Sequence, residues 1–223
     1  MNILAIETAT EVASVALACG GQTRQKIIQG GLARAEGVLA LIAPLLAEAD
    51  VPLAALDVIA FGRGPGSFTG LRVAASLAQG LAFALDRPVA AVSSLQALAH
   101  TAGGGRVLAA LDARQEEVYY GYFTQDAAGI PQPQGEEGLC GPQHMPPPPT
   151  PHHVAVGSGA DRYGEILIVR FGVTVRAGLA PTAAAVASLA ARMAACGKLI
   201  APQEALPVYL RDEVAKRPPK SLE

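Results

Sequence analysis

Leu56-Asp57-Val58-Ile59-Ala60-Phe61-Gly62-Arg63-Gly64-Pro65-Gly66-Ser67-Phe68-Thr69-Gly70-Leu71-Arg72 decides how this chain is read. Leu56 to Phe61 has the compact apolar character of a buried strand, and Val73 to Leu85 reads as a helix with hardly a polar residue. Between them the glycines permit backbone angles that a β-carbon forbids, and Pro65 fixes one φ. Ser67 and Thr69 are candidate N-caps. A strand–glycine turn–helix unit presents backbone N–H groups at the positive end of a helix dipole, which suits an anion. It equally suits close packing against another protein surface.

Working outward, the first half predicts three strands (Asn2–Ile6, Val12–Ala18, Thr23–Ile28) and a helix over 36–49 that Pro44 kinks or shortens. The central strand and helix follow, then a strand over 88–92 and a short helix from Ser93-Ser94 to His100. Gly103-Gly104-Gly105 is the best linker in the chain. After it the opening pattern returns: a strand Arg106–Leu111, a polar turn from Asp112, a strand Glu117–Thr124. Leu4-Ala5-Ile6-Glu7 and Ala109-Ala110-Leu111-Asp112 are both apolar strands ending on a carboxylate, a weak internal repeat. Gln132–His153, with seven prolines, reads as an exposed, mobile loop. Val154–Val156 resumes a strand before a Gly157-Ser158-Gly159 turn, and Pro181–Cys196 is a helix that Gly197 ends. Residues 216–223 read as a frayed tail.

Strands in hairpins followed by crossover helices predict mixed sheets flanked by helices. The expected fold is therefore α/β, a duplicated ribonuclease-H-like (actin-like ATPase) architecture. Its subdomains are 1–103, expected to bind a partner, and 104–223.

Composition narrows the function. Charged residues are 16% and hydrophobic residues 51% of the 223, so either the core is large or some apolar surface meets a partner. A net charge of −2 argues against a basic domain gripping nucleic acid unaided. Three cysteines without CxxC spacing fit a reduced, cytoplasmic protein, and no basic leader precedes the first strand. The uncharged stretch 37–47 is too short for a bilayer, which needs about 20 residues. No membrane association is expected.

Actin-like kinases place Asp-x-Gly-Thr and Asp-x-Gly at the two hairpins, where the acid organises Mg²⁺ and the glycine lets backbone close on phosphate. Here the turns read Glu7-Thr8-Ala9-Thr10 and Asp112-Ala113-Arg114-Gln115. Both acids remain and both glycines are missing, leaving Glu7, Thr8, Thr10 and Asp112 as a degenerate phosphate site. His152-His153 has no carboxylate or cysteine at ligand spacing, and Gly66-Ser67-Phe68-Thr69-Gly70 is not the Gly-x-Ser-x-Gly of a serine hydrolase. The two apolar helices say more. Val38, Leu39, Leu41, Ile42, Leu45 and Leu46 surround most of the first, and Gly70, Ala74, Ala75, Ala78 and Gly80 keep the second thin. One side of each faces the sheet; the other faces either its neighbour or a second protein.

Four stretches carry a family resemblance: Ile3–Glu11, Gly62–Arg72, Val107–Arg114 and Pro207-Val208-Tyr209-Leu210-Arg211. Their order and content are similar to the bacterial TsaB (YeaZ) family, over nearly the whole chain. The Gln132–His153 segment departs from that family's pattern, and Arg34 stands where several members have histidine. The resemblance implies a non-catalytic subunit of the machinery that forms threonylcarbamoyladenosine in tRNA next to the anticodon. It implies docking on TsaD, work with the ATPase TsaE on threonylcarbamoyl-adenylate from a separate synthase, and self-pairing through the same helices when alone. TsaD holds its metal through His-Met-Glu-Gly-His. Ser94-Leu95-Gln96-Ala97-Leu98 matches that motif here, so Ser94 and Leu98 replace the imidazoles and no metal or other cofactor is expected. The expected partner contacts are Leu39, Ile42, Leu46, Phe68, Leu71, Arg72, Ala75 and Gln79. Two alternatives stand beside this: a small-metabolite kinase using Glu7 and Asp112 on Mg·ATP, and a metallopeptidase.

Overall fold

In a computed structural model of the chain, residues 1–28, 35–151 and 153–211 are described. Arg34, His152 and the expected tail 216–223 lie outside them.

The first half builds β1 (Ile3–Glu7), β2 (Ala13–Cys19), β3 (Gln22–Ile28), α1 (Ala35–Ala47), β4 (Val58–Gly64), α2 (Phe68–Leu85), β5 (Val89–Ser93) and α3 (Ser94–Ala102). Its sheet has the order β3-β2-β1-β4-β5. β1 is antiparallel to β2 and parallel to β4, and β4 is parallel to β5. The second half builds β6 (Arg106–Asp112), β7 (Val118–Gln125), β8 (Pro131–Pro133), β9 (Gly138–Cys140), β10 (Val154–Val156), α4 (Ser158–Phe171), β11 (Thr174–Arg176) and α5 (Ala183–Ala195). Its order is β11-β10-β6-β7-β8, with β9 also on β7. Both sheets are mixed and both carry helices on their faces, the expected duplicated ribonuclease-H-like fold.

Alternation along β1 decides the layering. Leu4 and Ile6 face α1 and α2 in one cluster, while Ile3 and Ala5 face α5 in another. In β6, Val107, Ala109 and Leu111 meet Leu95, Leu98 and Ala99 of α3, and Leu108 and Ala110 meet Ala160 and Leu167 of α4. The layers are therefore α1/α2, first sheet, α3 and α5, second sheet, α4. The expected 103/104 boundary falls in the glycine turn, where Gly103, Gly104 and Gly105 all have positive φ (63°, 61° and 75°). Helix α5, from beyond that turn, lies on the first sheet.

Several local expectations are corrected. Helix α1 runs through Pro44 without a break and ends at Ala47, before a turn in which Asp50 has φ 52°. Pro44 and Ala40 are both exposed, so the carbonyl that the proline leaves without its helical donor is on the solvent side. Helix α2 starts at Phe68, a turn earlier than Val73, with Ser67 and not Thr69 as its cap; the Ser67 side chain accepts from Gly70 N at 3.4 Å. With 18 residues at a mean hydropathy of 1.3, α2 has the length and composition to cross a bilayer, but it lies along the first sheet with Leu71, Ala74, Ala75, Ala78 and Ala82 buried.

The segment expected as a mobile loop, Gln132–His153, is docked over its described residues. β8 and β9 both pair with β7. Met145 is 1% exposed, and Arg170 donates to the carbonyls of Pro142 and Met145 at 2.7 and 3.0 Å. Prolines tolerate this because β8 sits at the edge of the sheet. Helix α4 and β11 were absent from the expected pattern altogether.

Candidate functional site

A cleft of about 800 Å³ opens between the halves. The β1–β2 turn (Thr8 to Glu11) and the start of α2 (Ser67 to Gly70) form one wall; the β6–β7 turn (Asp112 to Gln115), Ser158, Asp161 and Arg211 form the other.

Three of the four degenerate phosphate positions reach this cleft, but their groups are engaged by the protein itself. Thr8 is fully buried and its hydroxyl donates to Gly70 O at 2.6 Å. Thr10 bonds locally to Val12 O at 3.2 Å. Asp112 takes Arg162 at 2.9 Å, with Arg114 at 3.8 Å on the same oxygen. Arg114 crosses to Glu11 at 3.0 Å, so the two turns pair with each other.

Glu7 is elsewhere. It is fully buried, accepts from Ala9 N at 2.7 Å and from Ser94 Oγ at 2.9 Å, and does not line the cleft. Burial pushes its carboxyl above the usual range, against the lowering effect of those hydrogen bonds. The structure does not bring Glu7 and Asp112 together, so the kinase alternative loses one of its two metal-organising acids. Of the positions that match the TsaD histidines, Ser94 serves Glu7 and Leu98 is sealed in the core.

The glycine-rich turn resolves as a packing device. A methyl group at Gly66 would lie 2.4 Å from Ala9 O, and one at Gly70 1.9 Å from Thr8 O. Ser67 N donates to Ala9 O at 2.8 Å. The turn's glycines thus let α2 close on the protein's own β1–β2 turn. The fourth motif lands beside it: Val208 N donates to Arg63 O at 2.8 Å, and Val208 O fills the space beside Gly64. Tyr209 packs on Phe68 with centroids 5.4 Å apart and the rings tilted by 41°, and Arg72 lies 3.6 Å over the Phe68 ring.

The expected partner contacts separate into two groups. Ile42, Leu46, Leu71 and Ala75 are buried in the chain's own core, at 4%, 7%, 1% and 5% exposure. Leu39, Phe68 and Arg72 are exposed, and Gln79 is half-buried. The outer face of α1 carries Glu36 in its first turn and then Leu39, Ala40, Ala43, Pro44 and Ala47, uncharged from Leu39 onward. Along α2 the outward line is Thr69, Arg72, Ser76, Gly80 and Phe83. Phe83, 59% exposed, had no place in the expected set, although its spacing from Arg72, Ser76 and Gly80 continues one helix face. Among the described residues, nothing outside the helix's own backbone lies within 4 Å of where a Gly80 Cβ would be.

Comparisons with known proteins agree with one another. The TsaB protein of tRNA threonylcarbamoyladenosine biosynthesis from Escherichia coli K12 is 36% identical over 224 residues, covering 96% of each chain. The Haemophilus influenzae TsaB protein is 41% identical over 130 residues, 56% of this chain and 55% of its own. A solved structure of YeaZ from Pseudomonas aeruginosa superposes with a TM-score of 0.86 at 40% identity, covering 94% of this chain and 99% of that one. Residues 33–137 also match the TsaD family model, tRNA N6-adenosine threonylcarbamoyltransferase.

Proposed function

This chain belongs to the TsaB (YeaZ) family of tRNA threonylcarbamoyladenosine biosynthesis proteins, and we propose that within that pathway it acts as a docking subunit without catalytic chemistry of its own. Its partner is a TsaD-type transferase, held on the outer face of α1 and α2; TsaE joins the larger assembly and tRNA is the substrate of the whole. Alone, the chain pairs with itself through the same face.

One observation carries the reading: the outward face of α1 is uncharged from Leu39 to Ala47, and the adjoining α2 adds Phe83 to it. A helix face of this kind is ordinarily covered. Gly80 supports the same view. A glycine inside a helix costs about 1 kcal/mol relative to alanine, and no packing among the described residues requires it. An approaching helix backbone does. The interface is thereby narrowed to Leu39, Phe68, Arg72 and Gln79 among the expected contacts, with Ser76, Gly80 and Phe83 added.

The pairing of Glu11 with Arg114 and of Asp112 with Arg162 and Arg114 supports a cleft that docks and does no chemistry. Reconstitution tests the reading: TsaD, TsaE, threonylcarbamoyl-adenylate and unmodified tRNA, with and without this chain. Modified adenosine that forms only when the chain is present, and no threonylcarbamoyl transfer by the chain alone, is the expected result. Transfer at full rate without it overturns the proposal.

A further inference from the structure

We propose that Pro207–Arg211 is a strap across the mouth of the cleft that holds the two halves at one fixed opening. The inference concerns the chain alone and does not depend on what docks on α1 and α2.

The strap has an anchor in each half. On the first, Val208 is hydrogen-bonded to Arg63 O at 2.8 Å and Tyr209 packs on Phe68, itself covered by Arg72. Gly64, at φ 105°, has no room for a side chain because Leu71 and Val208 O occupy it. On the second half, Arg211 donates to Ala113 O at 2.9 Å and pairs with Glu117 at 2.5 Å, on both flanks of the β6–β7 turn. Between the anchors Leu210 covers a small cavity of about 50 Å³ with Pro65, Leu71 and Tyr119. Phe68, Tyr119 and Arg211 also line the large cleft, so the strap is part of its rim.

Elsewhere the halves are joined through the inner layer of α3 and α5, and at the start of α3 Glu137 of the second half takes Ser93 and, at 4.0 Å, Arg63 of the first; the mouth opens about that inner side. At the mouth a further link among the described residues is the Arg114–Glu11 pair, whose side chains are 72% and 79% exposed. An ion pair so exposed contributes little against solvent screening. The strap's bonds are less exposed: the Arg211 side chain is 19% accessible, and its donors grip a backbone carbonyl as well as a carboxylate. Arg211 therefore sets how far the β6–β7 turn can move from α2.

The test uses the full chain with Cys19, Cys140 and Cys196 replaced by alanine and spin labels on Thr69→Cys and Gln115→Cys. Pulsed dipolar spectroscopy then reads the distance across the mouth. With the strap intact a single narrow distribution is expected. In Arg211→Gln, and separately in Tyr209→Ala, the mean lengthens and the width grows about twofold as the hinge is released. Tyr209→Phe keeps the ring on Phe68 and is expected to match the parent. Circular dichroism confirms that each variant is folded, and Tyr209→Ala carries the test if Arg211→Gln does not fold. A broad distribution in the parent, or an unchanged narrow one in the variants, overturns the proposal.

Discussion

At Gly70 an added methyl group meets Thr8 O at 1.9 Å, whereas at Gly80 it meets nothing among the described residues within 4 Å outside the helix's own backbone. The two glycines of one helix therefore have opposite expected responses. Gly70→Ala should lose about 3 kcal/mol or fail to fold, because the obstacle is backbone. Gly80→Ala should gain up to about 1 kcal/mol in the isolated chain, both read by chemical denaturation. The buried acids give a pH signature of definite sign. Burial raises Glu137, against the lowering effects of the Ser93 hydroxyl bonded to it and of Arg63, as burial raises Glu7. A carboxyl that binds its proton more tightly when folded contributes stability that is fully present below the unfolded pKa, about 4.3. That contribution is lost as pH rises through the elevated folded value. Glu137→Gln should flatten that fall, measured as melting temperature from about pH 4 to about pH 8. Sequence alone located the acid-ended strands but not their fates. Glu7 and Asp112 occupy matching strand ends, and the packing of Ser94 and Gly62 against the first separates a core carboxylate from a cleft carboxylate.

Among the elements, α1 and α2 were legible because their apolar residues exceed what one buried face can use. Which residues point outward was not: Leu71 and Arg72 are neighbours in sequence and differ completely in burial. Helix α4 escaped because Gly157, Gly159 and Gly164 punctuate it and Tyr163 breaks its dihedrals (φ −115°), so its period is blurred. Gly159 has little room for a side chain, since a methyl group there would crowd Val118 at 2.6 Å, while one at Gly164 would press on Val175 at 3.2 Å. The proline tract misled in the opposite sense, since prolines at an edge strand do not preclude pairing. The outward face of α2 supplies this scale's prediction. Gly80→Leu should leave the isolated chain folded, as the position is open, and weaken partner binding at least about tenfold, the effect of losing some 1.4 kcal/mol at a close helix crossing. Titration calorimetry with TsaD from the same organism reads it, and unaltered affinity would move the crossing away from Gly80.

Over the whole molecule, the mixed sheets and the duplication could be read from element order, because hairpins and crossovers leave few topologies open. The long-range docking of α5 on the first sheet could not, since no local pattern in Ala183–Ala195 says which sheet its small residues cover. The same holds for the meeting of the second and fourth motifs, where Tyr209 finds Phe68 across the sequence. Cleft acids that pair internally and an outward helical face that presents Leu39 and Phe83 support the proposal that the chain is held by another protein. The most direct measurement of that claim is co-purification with TsaD from the same organism, comparing the unaltered chain with Leu39→Asp and Phe83→Asp. Both positions are exposed, at 48% and 59%, so the folded chain tolerates the charge. A stoichiometric complex with the unaltered chain, lost in both folded variants, is the predicted result. A complex that survives both substitutions, or none with the unaltered chain, contradicts it.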